Sequence, residues 1–287
     1  EGKAVMSFAL PPPQAVAAAA AGLELRRGWP RGGHLGPRLG PPLAALDGLR
    51  PGITDPEIPL LKLVAHDGRG LAGVVNFACH PVVGGEDDLY ALSPDYPHEA
   101  REAFRAVVGA PLVFSLGCAG DQVPAWRGGR ARERVGRSLG AAAAREWFQV
   151  EECRADVPVA TARAEVTLAL KELPSVEEAR RQLEALPDPE APQACWQRHQ
   201  LETAEKYQGK DGIHTELWAV RIGDWAAVGL PGEVMVEIGL QIKQQSPFAT
   251  TAVISLCNDS IGYISTARAH EEGGYEPEWS APGPEAE

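Results

Sequence analysis

The chain has 287 residues, 44% of them hydrophobic, and sets 27 Lys and Arg against 39 Asp and Glu, a formal charge of -12. That length and apolar content can fill a sizeable core in one large domain or two ordinary ones. The negative balance repels phosphate backbones and argues against a nucleic-acid partner, while five scattered cysteines without CxxC spacing argue against a disulfide framework or a cysteine zinc knuckle.

From the N-terminus, the apolar stretch 15–22 is short and made largely of alanine, whereas a membrane-spanning helix needs ~20 strongly apolar residues. It also lacks the layout of a signal peptide, so membrane contact is expected to be peripheral at most. Glu1 is not an initiator methionine, and the expectation is of a chain that lacks part of its N-terminal sequence. Residues 26–58 are crowded with Gly, Pro and Arg without a period, which predicts a long loop or linker. The compartment and the oligomeric state stay open.

Regular structure is predicted from Pro59 onward. Apolar runs at 60–65 and 71–78 flank Asp67-Gly68-Arg69-Gly70, a hairpin signal, and the second run ends at His80-Pro81. Helical spacing follows over 97–108, then a buried strand over 111–116 that stops at Gly117-Cys118-Ala119-Gly120-Asp121. Residues 129–148 predict an amphipathic helix and 157–170 a strand. Charged helical sequence over 175–208, broken by Pro187, Pro189 and Pro192, predicts a helical hairpin on the outside of the sheet.

The hairpin design then recurs. Strands at 215–222 and 225–230 are joined by Gly223-Asp224, and the second delivers Pro231-Gly232-Glu233. A helix over 234–244 follows, with Glu233 near its N-terminus where the dipole favours a carboxylate. The apolar run 251–256 stops at Asn258-Asp259-Ser260-Ile261-Gly262-Tyr263. The expected architecture is a single α/β domain over 1–287, a mixed β-sheet core built from hairpins with helices packed outside and active-site loops at strand ends.

A histidine, a carboxylate and a phenol thus sit just past strand ends, where open α/β sheets bind ligands. His80 by itself reads as a ligand or as a hydrogen-bonded loop residue, Glu233 as a helix-terminal charge, and Tyr263 as a half-buried core ring. The wide sequence separations of the three leave room for a catalytic zinc site assembled from distant loops. Asp121 is either a carboxylate that orients a metal-bound histidine or an Asx-turn residue. Ser93-Pro94-Asp95 reads equally as a helix cap. No GxSxG, HExxH, GxxxxGK[ST] or strand-led GxGxxG occurs, and Cys118 with His80 is a weaker thiol-nucleophile alternative against an inert core thiol.

Asn76-Phe77-Ala78-Cys79-His80-Pro81-Val82, Ser93-Pro94-Asp95, Gly120-Asp121-Gln122-Val123-Pro124, Pro231-Gly232-Glu233 and Asn258-Asp259-Ser260-Ile261-Gly262-Tyr263, in this order, resemble the neutral/alkaline non-lysosomal ceramidase family. The resemblance runs from about Leu25 to the C-terminus. It implies a Zn2+-dependent hydrolase that cuts the N-acyl amide of ceramide or a related N-acyl lipid into fatty acid and amine. It further implies that His80, Glu233 and Tyr263 are zinc ligands, that Tyr263 stabilises the oxyanion, and that Asp121 holds the ligands in place.

Several departures accompany the resemblance. The family's other zinc histidine belongs to a His-rich motif far upstream; the histidines before His80 are His34 and His66, and His34 stands in a different context. Val123 stands where the family has a serine, and the family's substrate-contacting arginine matches only loosely to Arg26 or Arg27. The C-terminal immunoglobulin-like domain has no counterpart. These departures support an alternative reading, a ceramidase-like binding domain whose catalytic site has decayed.

Overall fold

The computed structural model describes residues 4–9, 52–83, 92–124, 126–128 and 130–287. Two four-stranded sheets carry the fold, and each is wired the same way. In the first, strands β1 (Ala4–Ala9), β2 (Leu60–Ala65), β3 (Gly70–Phe77) and β4 (Leu112–Leu116) lie in that order. The first three run antiparallel, and β4 joins β3 in parallel. A parallel neighbour requires a crossover. Helix α1 (Asp95–Val108) lies in that connection, and α2 (Ala131–Gln149) follows β4.

The second sheet has the order β5 (Val159–Leu168), β6 (Ile213–Ile222), β7 (Trp225–Gly229) and β9 (Thr250–Ile254). Again two antiparallel pairs are followed by one parallel pair, β7 with β9, and helix α5 (Val236–Gln245) lies in the crossover. The repeated design noted in the sequence is therefore real at the level of strand wiring. His80 and Glu233 come just after β3 and β7. Asp121 and Tyr263 come after the parallel strands β4 and β9.

Side-chain alternation along the strands sorts the core into layers. One face of the first sheet, with Val75, Phe77, Leu60 and Leu112, packs on Phe104 of α1 and Leu139 and Trp147 of α2. The helices cross where Gly136 and Gly140 lie. A Cβ at Gly140 would stand 2.4 Å from the Ala100 carbonyl oxygen, so only glycine permits this approach. Lys62 closes the far end of α2 by donating from Nζ to the Trp147 and Val150 carbonyls at 2.9 and 3.1 Å, a cation at the negative helix end.

The opposite face, with Leu61, Leu63 and Val74, meets Trp225, Ala227 and Ala252 of the second sheet. Beyond that sheet lies α5, whose Ile238 joins Val253, Leu230 and Val234 in a further cluster. The order of layers is helices, sheet, sheet, helix. This bears out a mixed α/β fold with helices outside.

Residues 175–208 form α3 (Val176–Glu184), a short 3-10 turn (Pro192–Ala194) and α4 (Cys195–Tyr207), a helical pair as expected. Ser175 caps α3, its hydroxyl accepting from the Glu178 amide at 3.1 Å. Two short helices, α6 (Ala267–Glu272) and α7 (Tyr275–Trp279), follow the last strand. No helix among the described residues is long and apolar enough to cross a membrane.

Candidate active site

The site is built where the strand-end loops of the two sheets meet. Two residues past the end of β3 lies the buried Cys79, whose carbonyl accepts the Tyr96 hydroxyl at 2.6 Å. Tyr96 is fully buried in the first turn of α1. It sits T-shaped against Phe77 and Phe114, so the backbone just before His80 is held from behind. The His80 amide donates to the Gln122 carbonyl at 3.0 Å, which ties this loop to the one after β4. Tyr96 and Gln122 went unrecognised in the sequence, although Tyr96 lies in the quoted Ser93-Pro94-Asp95 context. Within that motif Ser93 Oγ accepts from the Asp95 amide at 3.1 Å.

Glu233 belongs to a two-residue strand, β8 (Glu233–Val234), paired in parallel with β10 (Tyr263–Ile264). This corrects the expectation of a helix-terminal glutamate, because α5 begins only at Val236. The helix end is served by Asp121 instead, whose Oδ1 accepts from the Val236 amide at 2.8 Å, a buried carboxylate against the positive helix end. In the β8/β10 register Glu233 is opposite Tyr263. The Gly120 amide donates to the Val234 carbonyl at 2.8 Å, docking the Asp121 loop on the same strand.

These contacts bring three of the four sequence-predicted residues into one cluster and set Asp121 behind it. His80 Nε2 lies 3.3 Å from Glu233 Oε2. Burial pushes the His80 imidazole below its ordinary value; the charges of Glu233 and Asp121 oppose that shift and Arg127 adds to it. The ring is therefore neutral near neutral pH, the form a metal ligand needs. Burial, and next the Glu233 charge, raise the Tyr263 phenol well above its usual range. It is a protonated phenol that hydrogen-bonds to Glu233. Tyr275, raised first by burial and then by Glu233, forms a hydrogen bond with Tyr263.

A neutral imidazole nitrogen, a carboxylate oxygen and a phenol are the nitrogen and oxygen donors that zinc accepts. Two donors ~2.0–2.1 Å from one tetrahedral zinc stand roughly 3.3 Å apart, the separation of the His80–Glu233 pair. The residues present thus fit zinc as a partial shell. No group of three His, Cys, Asp or Glu suited to a metal occurs among the described residues. His34, Arg26 and Arg27 lie outside them. Val123 is half-buried beside Asp121 and brings no hydroxyl.

The thiol alternative loses its support. Cys118 is buried and its thiol is pushed up to about 12, chiefly by that burial, so no useful thiolate forms near neutral pH. Cavities of about 480 and 440 Å³ lie along the second sheet, and neither lining includes His80, Glu233 or Tyr263.

No protein-family model matches the sequence, and no curated protein matches it. Solved structures do. A ceramidase complexed with C2 matches at TM-score 0.57 and 14% identity, over 99% of this chain and 51% of that one. The neutral ceramidase from Pseudomonas aeruginosa matches at TM-score 0.57 and 16% identity, over 99% of this chain and 49% of that one. The chain has a ceramidase-like fold and spans about half the length of these structural neighbours.

Proposed function

We propose that the chain carries the site of a zinc-dependent hydrolase that cleaves the N-acyl amide bond of ceramide or a related N-acyl lipid. One observation carries the reading: in a ceramidase-like fold, His80 and Glu233 meet at 3.3 Å and Glu233 stands in register with Tyr263. His80, Glu233 and Tyr263 would hold the metal. Zinc there supplies a Lewis acid for the amide carbonyl and lowers the pKa of a bound water towards ~7.

The chain's own groups do the rest. Burial keeps His80 neutral and available as a donor. Tyr263 serves as the third ligand or, as a protonated phenol that does not ligate, donates its hydroxyl to the oxygen that gains charge as the carbonyl is attacked. Asp121 fixes the β4 loop against α5, and that loop receives the His80 amide. Tyr96 sets the carbonyl immediately before the histidine.

Protein expressed from the complete reading frame is expected to contain near-stoichiometric zinc and to lose amidase turnover by more than about 100-fold in His80→Ala and in Glu233→Ala. Turnover that survives both chelation and the two substitutions would falsify the reading. A second reading, a non-catalytic ceramidase-like binding domain, is favoured by Val123 at the serine position and by the partial ligand shell. It predicts ligand binding without turnover in the zinc-loaded protein.

A further inference from the structure

Strand β5 is the outermost strand of the second sheet. It is 10 residues long, and residues 159–165 are all exposed. Its inner side is fully used, because the pairing with β6 runs from Val159 opposite Ile222 to Leu168 opposite Ile213 without a bulge. Alternate residues then aim their N–H and C=O groups away from β6. Among the described residues no backbone group meets that outer row. Exposed edges are usually blunted by Pro, Lys, a bulge or short length, and Val159-Ala160-Thr161-Ala162-Arg163-Ala164-Glu165-Val166-Thr167-Leu168 has none of these.

The two charges of the strand are poorly served within one chain. Glu165 stands directly opposite Glu216 of β6, a like-charged pair that weakens a ladder. The single Arg163 guanidinium pairs with both carboxylates. A cavity of about 480 Å³ beside this end of the strand is lined by Glu165, Glu216 and Asp259 and, among the described residues, by no Lys or Arg. The edge thus combines a free row of backbone groups with a shortage of cations.

We propose that β5 is the seam of a homodimer, in which a second copy of this chain lays its own β5 antiparallel against it about a two-fold axis at Ala164. The two four-stranded sheets then join into one. The order of residues selects both the occupant and the register. With the axis at Ala164, Arg163 faces Glu165 of the second copy and Glu165 faces its Arg163. Thr161 likewise faces Thr167, Ala162 faces Val166 and Ala160 faces Leu168. Opposite charges and threonine pairs are combinations that stabilise antiparallel ladders, and each copy supplies a guanidinium to the other's crowded carboxylates. Moving the axis to Arg163 or to Glu165 sets like charges face to face, and parallel pairing in register does so at both positions. The contact is isologous, so it consumes both β5 edges and closes at two copies.

The test uses protein expressed from the complete reading frame. Light scattering after gel filtration is expected to give the mass of one chain at about 1 µM and of two chains at about 100 µM, as suits a small reversible interface. Ala164→Cys is expected to form an intermolecular disulfide on mild oxidation, because the two copies of that residue stand about 4.5–5.5 Å apart across the axis. Thr161→Cys, about 20 Å from its counterpart, is expected to give no more than the unmutated protein does. Arg163→Glu is expected to weaken dimerisation about tenfold or more, and Arg163→Glu/Glu165→Arg to restore it. Restoration requires folded protein, so the exchange separates loss of the interface from misfolding. A single-chain mass at the higher concentration, a dimer that Ala164→Cys does not cross-link, or one that Arg163→Glu leaves equally tight overturns the proposal.

Discussion

His80 shows how a single side chain acquires its chemistry from its neighbours. Its ring is only 16% exposed, and burial is the largest influence on its proton affinity. The folded value therefore lies below the ordinary 6.5. As the pH falls through 6.5 the unfolded chain takes up a proton that the folded chain resists, so the stability linked to His80 is present above 6.5 and is lost below it. Chelator-treated protein is expected to lose denaturant resistance between about pH 7 and 5.5, and His80→Gln to lose less over the same interval. Urea midpoints across the interval measure the difference. An identical fall in both proteins would remove the histidine from the linkage. The placement of His80 past a strand was legible in the sequence. The buried hydroxyl of Tyr96 that steadies the preceding carbonyl was not, since a tyrosine in a first helical turn carries no mark of a partner 17 residues away.

Among the elements, the β8/β10 pair decides the site. Each strand is two residues long, too short for any period to reveal, and for that reason Glu233 read as the start of a helix. What makes the pairing possible is Gly120: a Cβ there would meet the Glu233 carbonyl oxygen at 2.6 Å and Val234 backbone atoms at 3.0 Å. Backbone cannot swing aside as a flexible side chain can. Gly120→Ala is expected to destabilise the fold by about 1–3 kcal/mol and to displace β8 from the Asp121 loop. Denaturant unfolding reads the first effect and zinc affinity the second. Wild-type values for both would show that this close approach is not required. Hairpins and long helices, by contrast, declared themselves through turn glycines and apolar spacing, with boundaries within a few residues of those observed.

At the scale of the whole molecule, one wiring scheme is used twice and the two copies are joined face to face. Leu61, Leu63 and Val74 of the first sheet share a seam with Trp225, Ala227 and Ala252 of the second. The Ser255 amide also donates to the Leu116 carbonyl at 3.0 Å, linking the ends of β9 and β4. Near this junction Lys243 of α5 meets Asp55 at 2.6 Å, both side chains under 10% exposed. Trp225→Ala opens the middle of the seam and is expected to cost about 3–5 kcal/mol. Circular dichroism and fluorescence should still report one coincident unfolding transition, and two separated transitions would mean that the sheets fold as independent units.

The amino-acid order by itself determined the α/β class, the recurring hairpin-then-helix design and the positions of His80, Glu233 and Tyr263 past strand ends. Those features are local, because turn glycines, apolar alternation and helical spacing act over a few residues. Only the tertiary structure decided that Glu233 faces Tyr263 across a parallel pair and that Asp121 serves the α5 terminus. Those features depend on segments tens to more than a hundred residues apart, brought together by burial of two sheets against each other, and no local pattern encodes such a meeting.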